Sequence, residues 1–297
     1  MDLFGLVPLD GGFSGETFLA EAAGERSVVR IYGHRGELRG PAAPDVDAAV
    51  LRLVRGLLPV PEVLEVKHAH PDAGTPGLLV TTYLPGTRLD VLLPDLDGTG
   101  RATVGREAGA LAARLAQMPM PRAGFFADGD LRVRPWPDGD LPAFVASRRA
   151  GTALSLWPDS GYAALLGVAE TAQTLLDRVT RTTLVHGDLN PKNVLVDPDT
   201  LAVTGLVDWE FAHAGGPISD LGNLLRFDRD PAFAQAVLET YRHDVVDAPD
   251  DVLDLARAAD LYALVDLAAR RGENPVTEQA HVLLGAIARS GDLHATP

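Results

Sequence analysis

From Leu184 to Asp197 the chain reads LVHGDLNPKNVLVD. Two apolar runs of strand length enclose a centre made of His, Asp, Asn and Lys. Buried backbone and side-chain polar groups must find partners, so a polar loop set between two buried strands is costly to order. A fold that keeps it has a chemical use for it. Gly187 allows a sharp turn or a close approach to a neighbour. Asp188 follows it, Asn193 comes five positions later, and Asp208 another fifteen on, at the end of the next strand-like run VTGLVDWE. Singly, HGD reads as a cap or turn and NP as a turn. Strand, HGD, Asn, strand and Asp in this order form a far more specific pattern.

At 297 residues the chain is longer than one core ordinarily organises, so two lobes are expected. Its 46% hydrophobic and 23% charged residues are those of a soluble globular enzyme. With no cysteine, disulfides and thiolate metal sites are excluded. A net charge of −15 argues against nucleic-acid binding and is compatible with a cationic substrate drawn in by the field. MDLFGLVPLDGG lacks the basic and apolar regions of a signal peptide, and no apolar run reaches the roughly 18 residues of a membrane span. The expectation is a cytoplasmic protein that does not enter a membrane.

Residues 1–84 alternate like an antiparallel sheet. A Gly-rich turn at Gly11 to Gly15 separates two strands, and a third is expected at Ser27 to Tyr32. APDVDAAVLRLVRGL predicts a helix with Asp45 as N-cap, and VPEVLEVKH and GLLVTTYLPG two more strands. Pro85 and Gly86 break the pattern, so residues 81–86 are read as a hinge and 85–297 as a mainly helical lobe. There RATVGREAGALAARLAQM and YAALLGVAETAQTLLDRVTR have helical period. Pro119 to Ser160 is expected to be irregular apart from a short helix near Pro142 to Arg149. NVLVD and VTGLVDWE read as a hairpin-like pair, and helices are expected near Pro231 to Tyr241, Asp250 to Arg271 and Thr277 to Ser290. A small sheet lobe before a larger helical lobe is an α+β arrangement, whose natural ligand site is the interlobe cleft.

The Asp188-to-Asn193 interval is that of the protein-kinase catalytic loop, in which Asp accepts a hydroxyl proton and Asn binds Mg²⁺. VHGDLNPKNVLVD and GLVDWEFA together resemble the aminoglycoside phosphotransferase family, itself similar to choline and other small-molecule kinases. The resemblance extends over most of the chain, through GGFSGETF, LLVTTYLPGTRL and ISDLGNLLR. It implies a bilobal protein-kinase-like fold, with a small antiparallel β N-lobe carrying one helix and a larger, mainly helical C-lobe. The reaction implied is O-phosphotransfer from ATP or GTP with Mg²⁺. Asp188 would be the catalytic base, and Asn193 and Asp208 the metal ligands. His186 and Asp220 would support the loop, and Glu210 the metal shell or the substrate. Gly12, Ser14 and Gly15 would cover the phosphates, and the hinge residues Thr82, Tyr83 and Leu84 would meet the purine edge.

Two positions depart from the protein-kinase pattern, which has a lysine on the third strand and a glutamate on the next helix. Here the strand offers Arg30 and the helix Asp47, a longer cation with a shorter carboxylate. Arginine grips phosphate in a bidentate fork, so Arg30 and Asp47 are expected to form the phosphate-anchoring pair. Lys192 is expected to be solvated, and His68 to His70 to be a loop rather than a metal site. The acceptor is a small-molecule hydroxyl. The resemblance implies that acidic groups after the metal site can hold a polycationic antibiotic, with Asp228 and Asp230 the foremost candidates. An aminoglycoside, a basic peptide antibiotic and a macrolide all stand as acceptors. So does the substrate of a metabolic kinase, such as an amino sugar or choline-like amino alcohol. A nucleotide-binding regulator without transfer activity is disfavoured by the joint presence of Asp188, Asn193 and Asp208.

Overall fold

The computed structural model describes residues 5–9, 17–22, 24–33, 39–137 and 139–296. The Gly-rich turn with Gly12, Ser14 and Gly15 lies outside them. Five antiparallel strands open the fold: β1 (Gly5–Pro8), β2 (Thr17–Ala22), β3 (Glu25–Tyr32), β4 (Val63–Lys67) and β5 (Gly77–Thr82), in the order β1-β2-β3-β5-β4. The register sets Arg30 opposite Thr17 on one side and Leu79 on the other. Helix α1 (Ala43–Val54) packs on β4 and β5 with Val46, Val50, Leu51 and Val54 buried. It starts two residues before the expected Asp45 cap, because Pro44, whose fixed φ suits a first helical turn, already lies inside it. Asp45 instead binds His68 Nδ1 at 2.9 Å, tying the loop after β4 to the helix.

The chain leaves β5 through Pro85 and Gly86 into β6 (Thr87–Arg88), which pairs with β10 (Val194–Val196). Strand β10 pairs in turn with β11 (Val203–Leu206), giving the order β11-β10-β6. The hinge exit is thus stitched to the hairpin that follows the polar loop. Pro85 O accepts the Thr204 hydroxyl at 2.7 Å, and the Pro59 carbonyl takes the Leu206 N–H at 2.7 Å.

A second small sheet corrects the expectation for Pro119 to Ser160. That segment supplies β7 (Gly124–Phe126) and β8 (Val133–Arg134) to a sheet of order β8-β7-β12-β9, with β9 at Thr183–Val185 and β12 at His213–Gly215. Strands of two or three residues carry no readable alternation, and β7 pairs with β12, almost ninety residues away. The short helix expected there is α4 (Leu141–Ser147).

The other helices are α2 (Leu89–Leu92), α3 (Gly98–Ala116), α5 (Asp159–Leu176), α6 (Ser219–Leu224), α7 (Pro231–Asp244), α8 (Val252–Ala269) and α9 (Pro275–Ser290). Helix α3 lies along α7, while α4, α5, α8 and α9 enclose an apolar cluster of their own. A larger cluster runs from α1 through Leu184, Leu189, Val194, Val196 and Leu206 to α7, so the apolar residues of the polar loop are core residues. Among the described residues no helix is long and apolar enough to cross a membrane.

Helix α6 crosses α8 at Gly222, where an added Cβ would lie 2.3 Å from the Ala256 carbonyl oxygen. Gly222→Ala should therefore destabilise the protein by about 1–3 kcal/mol in urea unfolding. Gly167→Ala, at an exposed α5 position whose Cβ would meet nothing within 4 Å, should stabilise by up to about 1 kcal/mol in the same assay.

Candidate active site

Strand β9, buried throughout, ends at Val185, and from His186 the chain forms the polar loop, a 3-10 turn at Pro191–Asn193 and β10. Two neighbouring amides are left without strand partners at this exit. Asp220, on α6, accepts both: His186 N–H at 2.9 Å and Gly187 N–H at 3.0 Å. Burial pushes the Asp220 carboxyl up to about 7 against the pull of these two donors. Gly187 has φ 81°, and a Cβ there would sit 2.3 Å from the Phe211 carbonyl oxygen. The turn therefore needs glycine both for its backbone and for its space. Asn223 Nδ2 donates to the Gly187 carbonyl at 2.9 Å.

His186 is fully buried against the Trp209 ring, with centroids 4.5 Å apart. Its Nε2 lies 3.1 Å from the Val207 carbonyl, which can only accept, so Nε2 carries the proton. Nδ1 then accepts the Asp188 N–H at 3.2 Å. Both ring nitrogens are spent on backbone, an arrangement that orients the loop and leaves His186 no acid–base role.

Asp188 is held by both oxygens. Asn190 Nδ2 donates to Oδ1 at 2.7 Å and Asn193 Nδ2 to Oδ2 at 2.9 Å. Burial, and then the Asp208 charge, raise its carboxyl to about 6, against the opposing effects of Arg226, Asn193 and Asn190. Because the Asn193 nitrogen is turned to Asp188, its amide oxygen is the atom left for another partner. Asp208, just past β11, adopts φ 65°, in the left-handed region uncommon for residues other than glycine.

Arg30 reaches across from β3 and donates to Asp208 Oδ1 at 2.9 Å and to Glu210 Oε2 at 2.5 Å. Burial pushes the Glu210 carboxyl up, Arg30 pulls it down, and Asp208 raises it again. The expected Arg30–Asp47 pair is not formed. Asp47 takes both guanidinium nitrogens of Arg39, at 2.9 and 2.5 Å, and the Tyr32 hydroxyl at 2.6 Å. Arg39 lies eight residues from Asp47 and satisfies it within the lobe, so Arg30 is free to answer the carboxylates facing β3.

At the hinge, the Thr82 and Tyr83 amides donate to the Glu62 and Arg26 carbonyls, so neither N–H is left for a ligand. Leu84 packs its side chain toward Gly205 on β11. Asp230 caps α7 through the Ala232 and Phe233 amides and pairs with Arg101 at 2.7 Å, so its charge serves the fold. Asp228 lines a neighbouring cavity of about 270 Å³ with Asp90 and Phe227. Burial and Asp90 raise its carboxyl. Lys192 is half-buried on the 3-10 turn. Sequence reasoning missed Asn190, Asn223 and Arg39. Asn190 stood in a dipeptide that reads as an ordinary turn, and the other two carry no spacing signal.

A small antiparallel sheet followed by a mainly helical part, with this loop facing a strand-borne cation, is the arrangement of the protein-kinase-like fold. Residues 5–261 match the model of the phosphotransferase enzyme family, and the chain belongs to that family. The fold is shared with a GDP complex of aminoglycoside 2'-phosphotransferase-IIIa, at TM-score 0.72 and 18% identity, covering 97% of this chain and 93% of that one. It is shared too with a ternary complex of aminoglycoside phosphotransferase APH(4)-Ia with ADP and hygromycin B, at TM-score 0.67 and 19% identity, covering 96% and 94%. A mouse relative, acyl-CoA dehydrogenase family member 10, is 26% identical over 224 residues. The match takes in 73% of this chain and 20% of that protein, so the chain spans about a fifth of its length.

Burial lowers the His186 pKa to about 4, whereas an unfolded chain protonates histidine near pH 6.5. The stability contributed by neutral His186 is therefore complete above about pH 6.5 and is lost as pH falls toward 4, by up to about 3 kcal/mol. Urea unfolding at pH 7 and pH 4.5 should show a His186→Gln variant losing correspondingly less than wild type on acidification.

Proposed function

We propose that this protein is a small-molecule kinase that moves the γ-phosphoryl group of ATP or GTP to a hydroxyl of its acceptor, with Asp188 as the base. The observation that carries the reading is the Asp188 carboxylate, aimed by two asparagine amides and poised at about 6 beside Asp208. A base with a pKa near the working pH is ionised yet still takes a proton effectively. The nucleotides in the similar structures, ADP with APH(4)-Ia and GDP with the 2'-phosphotransferase, support a nucleotide donor. The hygromycin B in the former supports an antibiotic as acceptor. A nucleotide-dependent reaction belongs in the cytoplasm.

The donor set fits Mg²⁺. Asn193 has its amide oxygen left over, Asp208 offers a carboxylate, and both are hard oxygen ligands. Among the described residues no three His, Asp or Glu side chains converge as a metal cage, in keeping with an ion completed by phosphate oxygens. Mg²⁺ would supply charge neutralisation on the β- and γ-phosphates. Asp188 orients the acceptor hydroxyl and takes its proton as the new P–O bond forms. Arg30, already facing the cleft, exchanges Asp208 and Glu210 for phosphate oxygens when nucleotide enters. Asp220 and His186 hold the loop so that little reorganisation is needed, which is where most of the catalytic effect of such a site arises.

Asp188→Asn should lower kcat by about 10²–10⁴-fold with nucleotide affinity within a few-fold of wild type. The measurement is a coupled ADP-release assay over a panel of antibiotics and amino sugars. Full transfer by the variant would sink the assignment. The wild-type kcat/KM should be flat above pH 7 and fall about tenfold per pH unit below 6, because the base must be ionised. Arg30→Ala should raise the nucleotide KM by about tenfold or more, as one bidentate charge-assisted contact is lost.

A further inference from the structure

The sheet β8-β7-β12-β9 has two unlike faces. Paired residues of antiparallel strands point to the same side. Leu184 and Ala214, with Phe126 and Val133, form the inner face and are buried. The outer face follows from the remaining register: Val185 opposite His213, His213 opposite Phe125, and Phe125 opposite Arg134. Trp136, two residues past Arg134, folds back onto this face. Its ring centroid is 5.7 Å from Phe125 and 5.3 Å, edge-on, from His213. Phe211 lies two residues before His213, linked to it by the bond between His213 Nδ1 and the Phe211 carbonyl at 2.9 Å. Trp136 remains 49% exposed, high for a ring already packed against two others, and the neighbouring Phe211 is 55% exposed.

This aromatic surface sits beside the reaction centre. The Phe211 backbone is packed against Gly187, the residue before Asp188. Val185, the buried end of this face beside His213, is three residues from Asp188, a span of at most about 10 Å along extended chain. That is the width of one or two sugar-sized rings. Most of the acidic residues that would hold a polycation are meanwhile engaged elsewhere: Asp230 by Arg101 and the α7 amides, Asp251 by Arg178, Asp254 by His294, Asp260 by Arg226 and Asp266 by Arg270, while Asp228 lines the cavity beside Asp90, where burial and that neighbour favour its neutral form.

We propose that Phe125, Trp136 and Phe211 form the acceptor platform, and that the acceptor is a neutral or singly charged hydroxyl compound with an apolar ring face, not a polycation. The inference rests on the phosphotransferase reading for its meaning, but the platform can be tested without nucleotide. Exposed tryptophan and phenylalanine rings recognise flat or C–H-bearing ring faces by stacking, and Glu210, once Arg30 turns from it to the phosphates, can answer a single positive charge.

Saturation-transfer NMR on the full chain, without nucleotide, would compare phenyl β-D-glucoside, methyl β-D-glucoside and 2-deoxystreptamine. The first two carry the same sugar hydroxyls and differ in the aromatic ring, and the third is a dication. The phenyl compound should bind saturably and at least tenfold more tightly than either of the others. Trp136→Ala should weaken it at least tenfold and Trp136→Phe no more than threefold. Leu156→Ala, a change at a residue 85% exposed outside the sheet, should leave it unaltered. Phe211→Ala probes the platform from its other end should Trp136→Ala fail to fold, and it too should weaken binding at least tenfold. The proposal is overturned if the phenyl compound does not bind wild type saturably, if Phe211→Ala and whichever Trp136 variant folds bind it as well as wild type, or if 2-deoxystreptamine binds more tightly. Loss of Mg-AMP-PNP binding in Asp208→Asn, measured separately by calorimetry, reads the phosphotransferase assignment alone, so the two failures are distinguishable.

Discussion

Two adjacent amides just past β9 and one buried carboxylate on α6 hold the polar loop together. Asp220 is 2% exposed, so its charge is tolerated only because the His186 and Gly187 N–H groups both point at it. In return it fixes the plane in which the chain turns at Gly187, and through that turn the direction of Asp188. The rest follows by contact. Phe211 closes over Gly187 where no Cβ can fit, His186 locks onto the Val207 carbonyl, and Asn223 takes the Gly187 oxygen. The close approach of α6 to α8 at Gly222 belongs to the same assembly, because it sets the height at which Asp220 meets the loop.

The cleft is governed by a shortage of cations. Asp208 and Glu210 gather around one strand-borne arginine, and Asp208 raises the proton affinity of Asp188 and of Glu210 while Arg30 lowers that of Glu210. Arg30 finds two partners because Asp47 is already satisfied by Arg39 and Tyr32. Arginine suits the position, since its planar fork bonds two acceptors at once, which an ammonium group does less well. Arg30 is thereby held bonded to residues just past β11.

Much of this was legible in the order of residues. The apolar runs around HGDLNPKN are the buried strands β9 and β10, the hairpin with β11 was visible as a pattern, and the long amphipathic helices declared themselves by period. The two-residue β6 and the strands of the β7–β8 hairpin were not, because such short strands acquire their meaning only from distant partners. Asp228 and Asp230 looked equivalent, and both line the cavity beside Asp90, yet only Asp230 caps a helix and only it pairs with Arg101. Neither difference is written in spacing.

The amino-acid sequence by itself determined which groups are available and the family they belong to: one loop with Asp188 and Asn193, an Asp208 at the proper interval, and a strand with arginine in place of lysine. These are local properties, set by intervals of a few residues and by the periods of strand and helix. The tertiary structure alone decided who pairs with whom. Arg30 meets Asp208 and Glu210 across some 180 residues of chain, Asp220 reaches back more than thirty, and Trp136 meets His213 edge-on from the segment after β8. Ion pairs and ring contacts depend on separations of a few ångströms in space, and chain distance does not encode those until the core has packed.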